Sequence, residues 1–327
     1  MRRTSARYKL AGAATAVAAA VALTGTTAWS SGAAEPAAAG QDPTTAAAAA
    51  PIGFGAGTTG GAGGATVEVS NASAFIAAVQ RTDPVTVRVN GTISLSSMTK
   101  VASNKTVVGV GTAGRITGSG LNVSGVSNVI IRNLTFTGSN DDAINVQEST
   151  KVWIDHNDVS GAYDGGIDIK RASDYVTVSW NRTHHQNKNM LLGHSDSNGS
   201  QDSGKLRVTY VHNWFDGTTQ RNPRVRFGNP VHVLNNYFSN IGDYGVASTE
   251  NAGVLVEANY FENTEDPFHL GEGDSDPGAL AAKNNHFVNS GTGQTGGTVK
   301  AIPYGYTADS ASSVKSIVMA GAGVGKI

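Results

Sequence analysis

The chain has no cysteine, only 9 prolines in 327 residues, and charged side chains at only 15% of positions. Without cysteine there is neither a disulfide framework nor thiolate chemistry, so stability must come from packing or a bound metal. No His and Cys arrangement with zinc spacing exists either. Beyond the first thirty residues no apolar run approaches the length of a membrane span. Scarce proline and low charge beside 41 glycines suit an all-β chain with many turns better than a helical bundle.

What is present begins with a basic start, Arg2, Arg3, Arg7 and Lys9, then the apolar run LAGAATAVAAAVAL and small residues up to Ala28 and Ser30. This predicts an export signal over residues 1–30 on the general secretory route, and hence a secreted protein. Cleavage after Ser30 turns 24 basic and 25 acidic residues into 20 and 25, a net charge of −5. Such a balance disfavours nucleic acid as a partner, and the processed chain is expected to bind no membrane. Residues 31–51, Ala-rich with almost no large apolar side chain, read as a disordered spacer. One domain over residues 52–327 follows.

NASAFIAAVQ, Asn71 to Gln80, predicts a short helix capped by Asn71 or Ser73 with Phe75, Ile76 and Val79 on its apolar face. From Val85 onward short runs such as VTVRVNGTISL, NVIIRNLTF and KVWIDHNDV have the β-branched and aromatic composition of strands. They also repeat. Asn recurs at 133, 157, 181, 213, 236, 259 and 285, at intervals of 24, 24, 32, 23, 23 and 26 residues. Units of that length mark solenoid coils, here a right-handed parallel β-helix whose Asn side chains stack in a ladder, with the short helix capping the N-terminal end. The Leu spacing of a leucine-rich repeat is absent. The interval of 32 contains an extra loop near Gly193 to Lys205, predicted to protrude. Capped solenoids are commonly monomers, and a monomer is expected.

Stacking makes neighbours of residues one coil apart, about 4.8 Å away. Asp142 and Asp164 then share a face, with Asp168 nearby, and three carboxylates without basic partners repel one another unless a cation intervenes. Oxygen ligands in irregular geometry favour Ca²⁺. Turn chemistry accounts equally for any single Asp, since Asp-Gly is a standard turn signal. Lys188 has the same offset from Asn181 as Asp164 from Asn157, and Arg221 follows Asn213 at nearly that offset. Carboxylates on two coils and cations on the next two would line one groove. This gives a role to the cluster Arg221, Arg224 and Arg226 in an otherwise weakly charged chain.

VWIDHNDVS, YDGGIDIKRASDYVTVSWN, QRNPRVRFGNPVHVLNNYF and the entry GFGAGTTGGAGG resemble the pectate lyase family of secreted parallel β-helix enzymes, from about Ile52 to the C terminus. The resemblance implies that Asp142, Asp164 and Asp168 bind calcium, that Arg221 removes a proton, and that Lys188 and Arg226 hold substrate. It implies cleavage of polygalacturonate by β-elimination: the C5 proton leaves and the C4–O bond breaks. That proton, α to a carboxylate, is barely acidic until cations neutralise the carboxylate and the charge developing on it. A planar guanidinium suits two-pronged carboxylate binding. Crowding with Lys188, Arg226 and Ca²⁺ disfavours the charged form of Arg221, so an alkaline pH optimum is expected. Arg224 is read as a solvated surface arginine, and His184 and His185 as surface or groove-rim residues. Trp153 to His156 are assigned to packing and hydrogen bonding between coils. Trp214, Tyr237, Phe238, Tyr260 and Phe261 are read as stacked core aromatics.

Three rival readings share the fold. A polygalacturonase-like hydrolase could use Asp141-Asp142, but it needs an acid and a water-activating base spaced for inversion, and Gly193-His194-Ser195 lacks the second glycine of its usual histidine motif. A pectin lyase would need neither the three Asp nor Lys188. A non-catalytic polysaccharide-binding β-helix would need exposed aromatics, not a groove of Asp, Lys and Arg.

Overall fold

The computed structural model describes residues 50–327. The predicted export signal lies outside the described residues, as does the predicted spacer apart from Ala50 and Pro51. From Ala65 the chain winds into the expected parallel β-helix. Each coil gives one strand to each of three sheets, of ten, eight and nine strands, and neighbours within a sheet are almost always three strands apart along the chain. One coil shows the pattern. Thr150–Asp155 lies in the ten-stranded sheet, Asp158–Ser160 in the nine-stranded sheet and Ile167–Lys170 in the eight-stranded sheet, before Asp174–Ser179 rejoins the first.

Alternation along each strand sends every second side chain inward, and the coils stack like on like. Val129, Val152, Val176 and Val208 are register partners in successive coils, all fully buried. Burying each such side chain contributes about 1.5–3 kcal/mol. Phe215, Phe238 and Phe261 stack in the same way, with ring centroids 4.6 and 4.4 Å apart. Of the aromatics expected in the core, Phe238 and Phe261 stand in this column, joined by Phe215, which was not expected. Trp214, Tyr237 and Tyr260 alternate outward from the same strands and lie beneath a C-terminal helix.

The asparagine ladder forms, with one shift of register. Asn157, Asn181, Asn213, Asn236, Asn259 and Asn285 each pass a side-chain amide hydrogen bond to the next, at 2.9–3.1 Å. Asn133 is not the next rung: Asn157 Oδ1 accepts from the Leu134 amide. Asn133 sits instead at the preceding corner, in the left-handed conformation that His156, Trp180, His212, Asn235, Ala258 and Asn284 adopt in later coils. Trp153 and Asp155 work as expected: Trp153 Nε1 and Asp155 Oδ1 meet on Ser179 Oγ, and Asp155 also pairs with Arg132 and His156.

Helix α1, Ala72–Val79, is capped by Asn71, whose side chain accepts from the Ala74 amide. Its buried face is Phe75, Ala78 and Val79; Ile76, expected there, is exposed. The short helix α2, Gly199–Asp202, lies in the predicted excursion, which packs back on the solenoid as Asp202 buries and accepts from the Ala172 amide. Helix α3, Ala311–Gly321, was not expected and seats Val314 and Val318 against Tyr237. Both ends of the described chain strap the outside of the coils. Phe54 and Gly55 amides donate to Thr209 and Thr177 hydroxyls. Near the other end Tyr304 reaches Thr209 and His232, Gly323 reaches the Trp180 carbonyl, and Gly325 reaches Asn133.

Candidate active site

The outer face of the eight-stranded sheet, with the turns that lead into it, collects the charged residues singled out above. Asp141 and Asp142 end the turn before strand Ile144–Gln147, and Asp164 lies in the equivalent turn before Ile167–Lys170. Asp168 lies inside that second strand, in register with Asn145. Asp141, Asp142 and Asp164 each place an oxygen within 4.8 Å of the other two. Asp142 and Asp168 converge separately: a methyl group added at Gly165 would lie 2.7 Å from Asp142 Oδ1 and 2.3 Å from Asp168 Oδ1. Only glycine admits two carboxylate oxygens so close to the backbone. The three expected carboxylates therefore meet around Asp142, and Asp141 joins them as a fourth that the repeat pattern did not single out.

A lysine not foreseen binds this cluster. Lys170 Nζ donates to Asp142 Oδ2 at 2.8 Å and lies 3.4 Å from Asp168 Oδ2. Burial, and next the charge of Asp168, push Asp142 up to about 7. Burial also raises Asp168, against the pull of Lys170. The two carboxylates in turn raise Lys170, outweighing the burial that works to lower it. Two buried acids one coil apart are thus short of positive charge even with an ammonium between them. The signal was present: Lys170 follows Asp168 by two residues, which puts both on one face of a strand.

The cations come next along the stack. Lys188 Nζ donates to Asp164 Oδ1 at 2.7 Å, and this bond holds Asp164 below the usual carboxylate range. Arg221 ends the turn before strand Arg224–Arg226, in the left-handed conformation. Its Nε is buried without a hydrogen-bond partner among the described residues, and its charge acts on both Asp164 and Asp168. Arg226 is buried and pairs through Nε with Asp196 of the excursion. Arg224 is not the solvated surface residue expected. It is half-buried and donates to the Glu272 carbonyl at 3.0 Å and Ser275 Oγ at 2.7 Å. His184 and His185 take the surface alternative rather than the groove rim: His185 is exposed, and His184 is part-exposed on the nine-stranded sheet, bonded to Asp158. His194, by contrast, lines a cleft of about 250 Å³ with Asp141, Asp142, Asn145, Lys170 and Met98.

This donor set fits a hard divalent cation. Asp142 Oδ1 is buried with no hydrogen-bond partner among the described residues, an expensive state for a carboxylate oxygen unless a cation satisfies it. Carboxylates with neighbouring amide oxygens at mixed depths suit the flexible oxygen shell of Ca²⁺ better than the strict octahedron of Mg²⁺.

Comparison with known proteins shows the family. A pectate lyase family model matches residues 37–327. The chain belongs to the pectate lyase family. It is 40% identical over 293 residues to a pectate trisaccharide-lyase of Bacillus licheniformis, covering 83% of this chain and 84% of the relative. It is 39% identical over 278 residues to pectate lyase A of Emericella nidulans, covering 82% and 83%. Among solved structures, a pectate lyase from Bacillus sp. N165 in complex with trigalacturonate superposes with a TM-score of 0.78 at 33% identity, covering 84% of this chain and 99% of that one. Pectate lyase II from Xanthomonas campestris gives 0.72 at 28% identity, covering 84% and 98%.

Proposed function

We propose that this pectate lyase family member cleaves polygalacturonate by β-elimination, with Arg221 as the base, Lys188 and Arg226 as substrate-holding cations, and Asp142, Asp164 and Asp168 as calcium ligands. The observation that carries the reading is the convergence of Asp142 and Asp168 over Gly165, with Asp142 Oδ1 unpartnered, on the face that presents Lys188 and Arg221 from the next coils. When bound, Ca²⁺ would supply positive charge to a uronate carboxylate and so acidify the carbon beside it. Lys188 and Arg226 add to that charge and fix the sugar's orientation.

The proton on C5 passes to the Arg221 guanidine, the electron pair left behind forms the C4–C5 double bond, and the C4–O bond breaks. The departing oxygen is protonated by water. Arg221 suits the task because its guanidine makes no direct carboxylate pair among the described residues, whereas Lys188 and Arg226 pair with Asp164 and Asp196. Electrostatic stabilisation of the charge growing on the substrate carboxylate, rather than a strong base, carries most of the acceleration. The export signal read in residues 1–30 supports an extracellular activity.

The test is ultraviolet absorbance of the unsaturated product on polygalacturonate, with and without a calcium chelator. Absorbance that grows and stops on chelation is expected. New reducing ends without absorbance would mean hydrolysis and sink the elimination reading. Absorbance indifferent to chelation would sink the calcium site.

A further inference from the structure

We propose that Asp196 is a positioning residue for the groove arginines, a role that rests on Arg226 holding substrate. Two segments outside the coil repeat, the 193–205 excursion and the 271–277 turn, meet over strand Arg224–Arg226, and Asp196 joins them. Its Oδ1 accepts from Arg226 Nε and from Ser275 Oγ, the latter at 2.8 Å. With its single proton given to Asp196, the Ser275 hydroxyl accepts from Arg224 Nη2 at 2.7 Å. The direction of every bond is thereby set: Arg224 to Ser275, Ser275 to Asp196, and Arg226 to the same carboxylate. Burial works to raise Asp196, and the bonds from Arg226 and Ser275 outweigh it.

The arrangement pins Arg226 by its Nε edge. The terminal nitrogens make only long contacts, Nη1 to the Gly193 carbonyl at 3.4 Å and Nη2 to Ser275 Oγ at 3.5 Å, so they remain the pair that can meet a carboxylate side-on. A free arginine loses rotamer freedom when it binds, and Asp196 has removed that freedom beforehand. The carboxylate itself touches no substrate in this scheme. Its effect must therefore appear in binding, and only while Arg226 is there to be held.

The test is a double-mutant cycle on the full chain with polygalacturonate in excess calcium. Asp196→Ala is expected to raise KM about tenfold, with kcat within about threefold, as a mobile arginine must be ordered by substrate. Ser275→Ala, which removes one of the two bonds, is expected to raise KM about threefold. In an Arg226→Ala background Asp196→Ala is expected to add less than about twofold, because the partner is gone. Asp196→Ala with unchanged KM, while Arg226→Ala raises it, would overturn the positioning role and leave Arg226 intact. An equal effect of Asp196→Ala in both backgrounds would show that it acts through the fold and would also overturn the role. Unchanged KM in Arg226→Ala removes the reading on which the role rests, and the role with it. If Asp196→Ala fails to fold, the same cycle with Ser275→Ala decides.

Discussion

At the scale of single residues, this groove separates its cations by what holds them. Lys188 and Arg226 each have a carboxylate partner, while Arg221 keeps a buried Nε with no partner. In the proposed mechanism the two partnered cations bind substrate and Arg221 takes the proton. Arg221→Lys keeps the charge but not the guanidine, and it is expected to lower kcat about a thousandfold with little change in KM, read from product absorbance. Comparable loss in both constants would show that Arg221 also binds. His232 offers a contrast outside the groove. It is fully buried, facing Glu257, Lys283, Tyr304 and Tyr306, and burial pushes it from the ordinary 6.5 down to about 4. Above 6.5 it is neutral folded or unfolded and makes no difference. Between 6.5 and 4 the unfolded chain takes up a proton that the folded chain refuses, so stability falls by up to about 3 kcal/mol. His232→Gln should flatten that part of a plot of Tm against pH.

At the scale of the element, the unit is the coil and its asparagine rung. Asn213 Oδ1 accepts from both the amide and the side chain of Asn181, and its own amide reaches Val178 and Asn236. Asn213→Ala leaves buried donors unmatched and is expected to cost about 3 kcal/mol in denaturant unfolding. Asn285→Ala, at the part-buried last rung, should cost about 1 kcal/mol. The repeat was legible because a buried rung admits little but Asn. It was misread by one residue at Asn133 because the adjoining corner takes up left-handed residues and Asn tolerates that conformation; the paired Asn235-Asn236 and Asn284-Asn285 occupy both positions. The stacking of Asp142, Asp164, Lys188 and Arg221 was legible for the same reason, since coils convert a fixed offset into a shared face. Arg226 with Asp196 was not, because the excursion that carries Asp196 has no counterpart in other coils. Helix α3 escaped notice because its apolar stripe, Val314, Ile317 and Val318, spans little more than one turn among Ala, Ser and Gly.

At the scale of the molecule, the proposed calcium site around Asp142 would make stability and activity share one ligand. Calcium at about a hundred times its Kd is expected to add about 2.7 kcal/mol to the folded state, seen as a rise in Tm that a chelator reverses. In Asp168→Asn both that rise and the absorbance signal should shrink together; a full thermal response with lost activity would place the ion elsewhere. The straps set a different limit, one of time. Coils can stack in chain order, each resting on the one before. Phe54, however, is fastened to Thr209, 155 residues later, and Gly325 to Asn133, 192 residues earlier. Phe54 thus waits while 155 residues are added before it meets Thr209, and the segment near Gly325 returns to close over a coil built 192 residues before it.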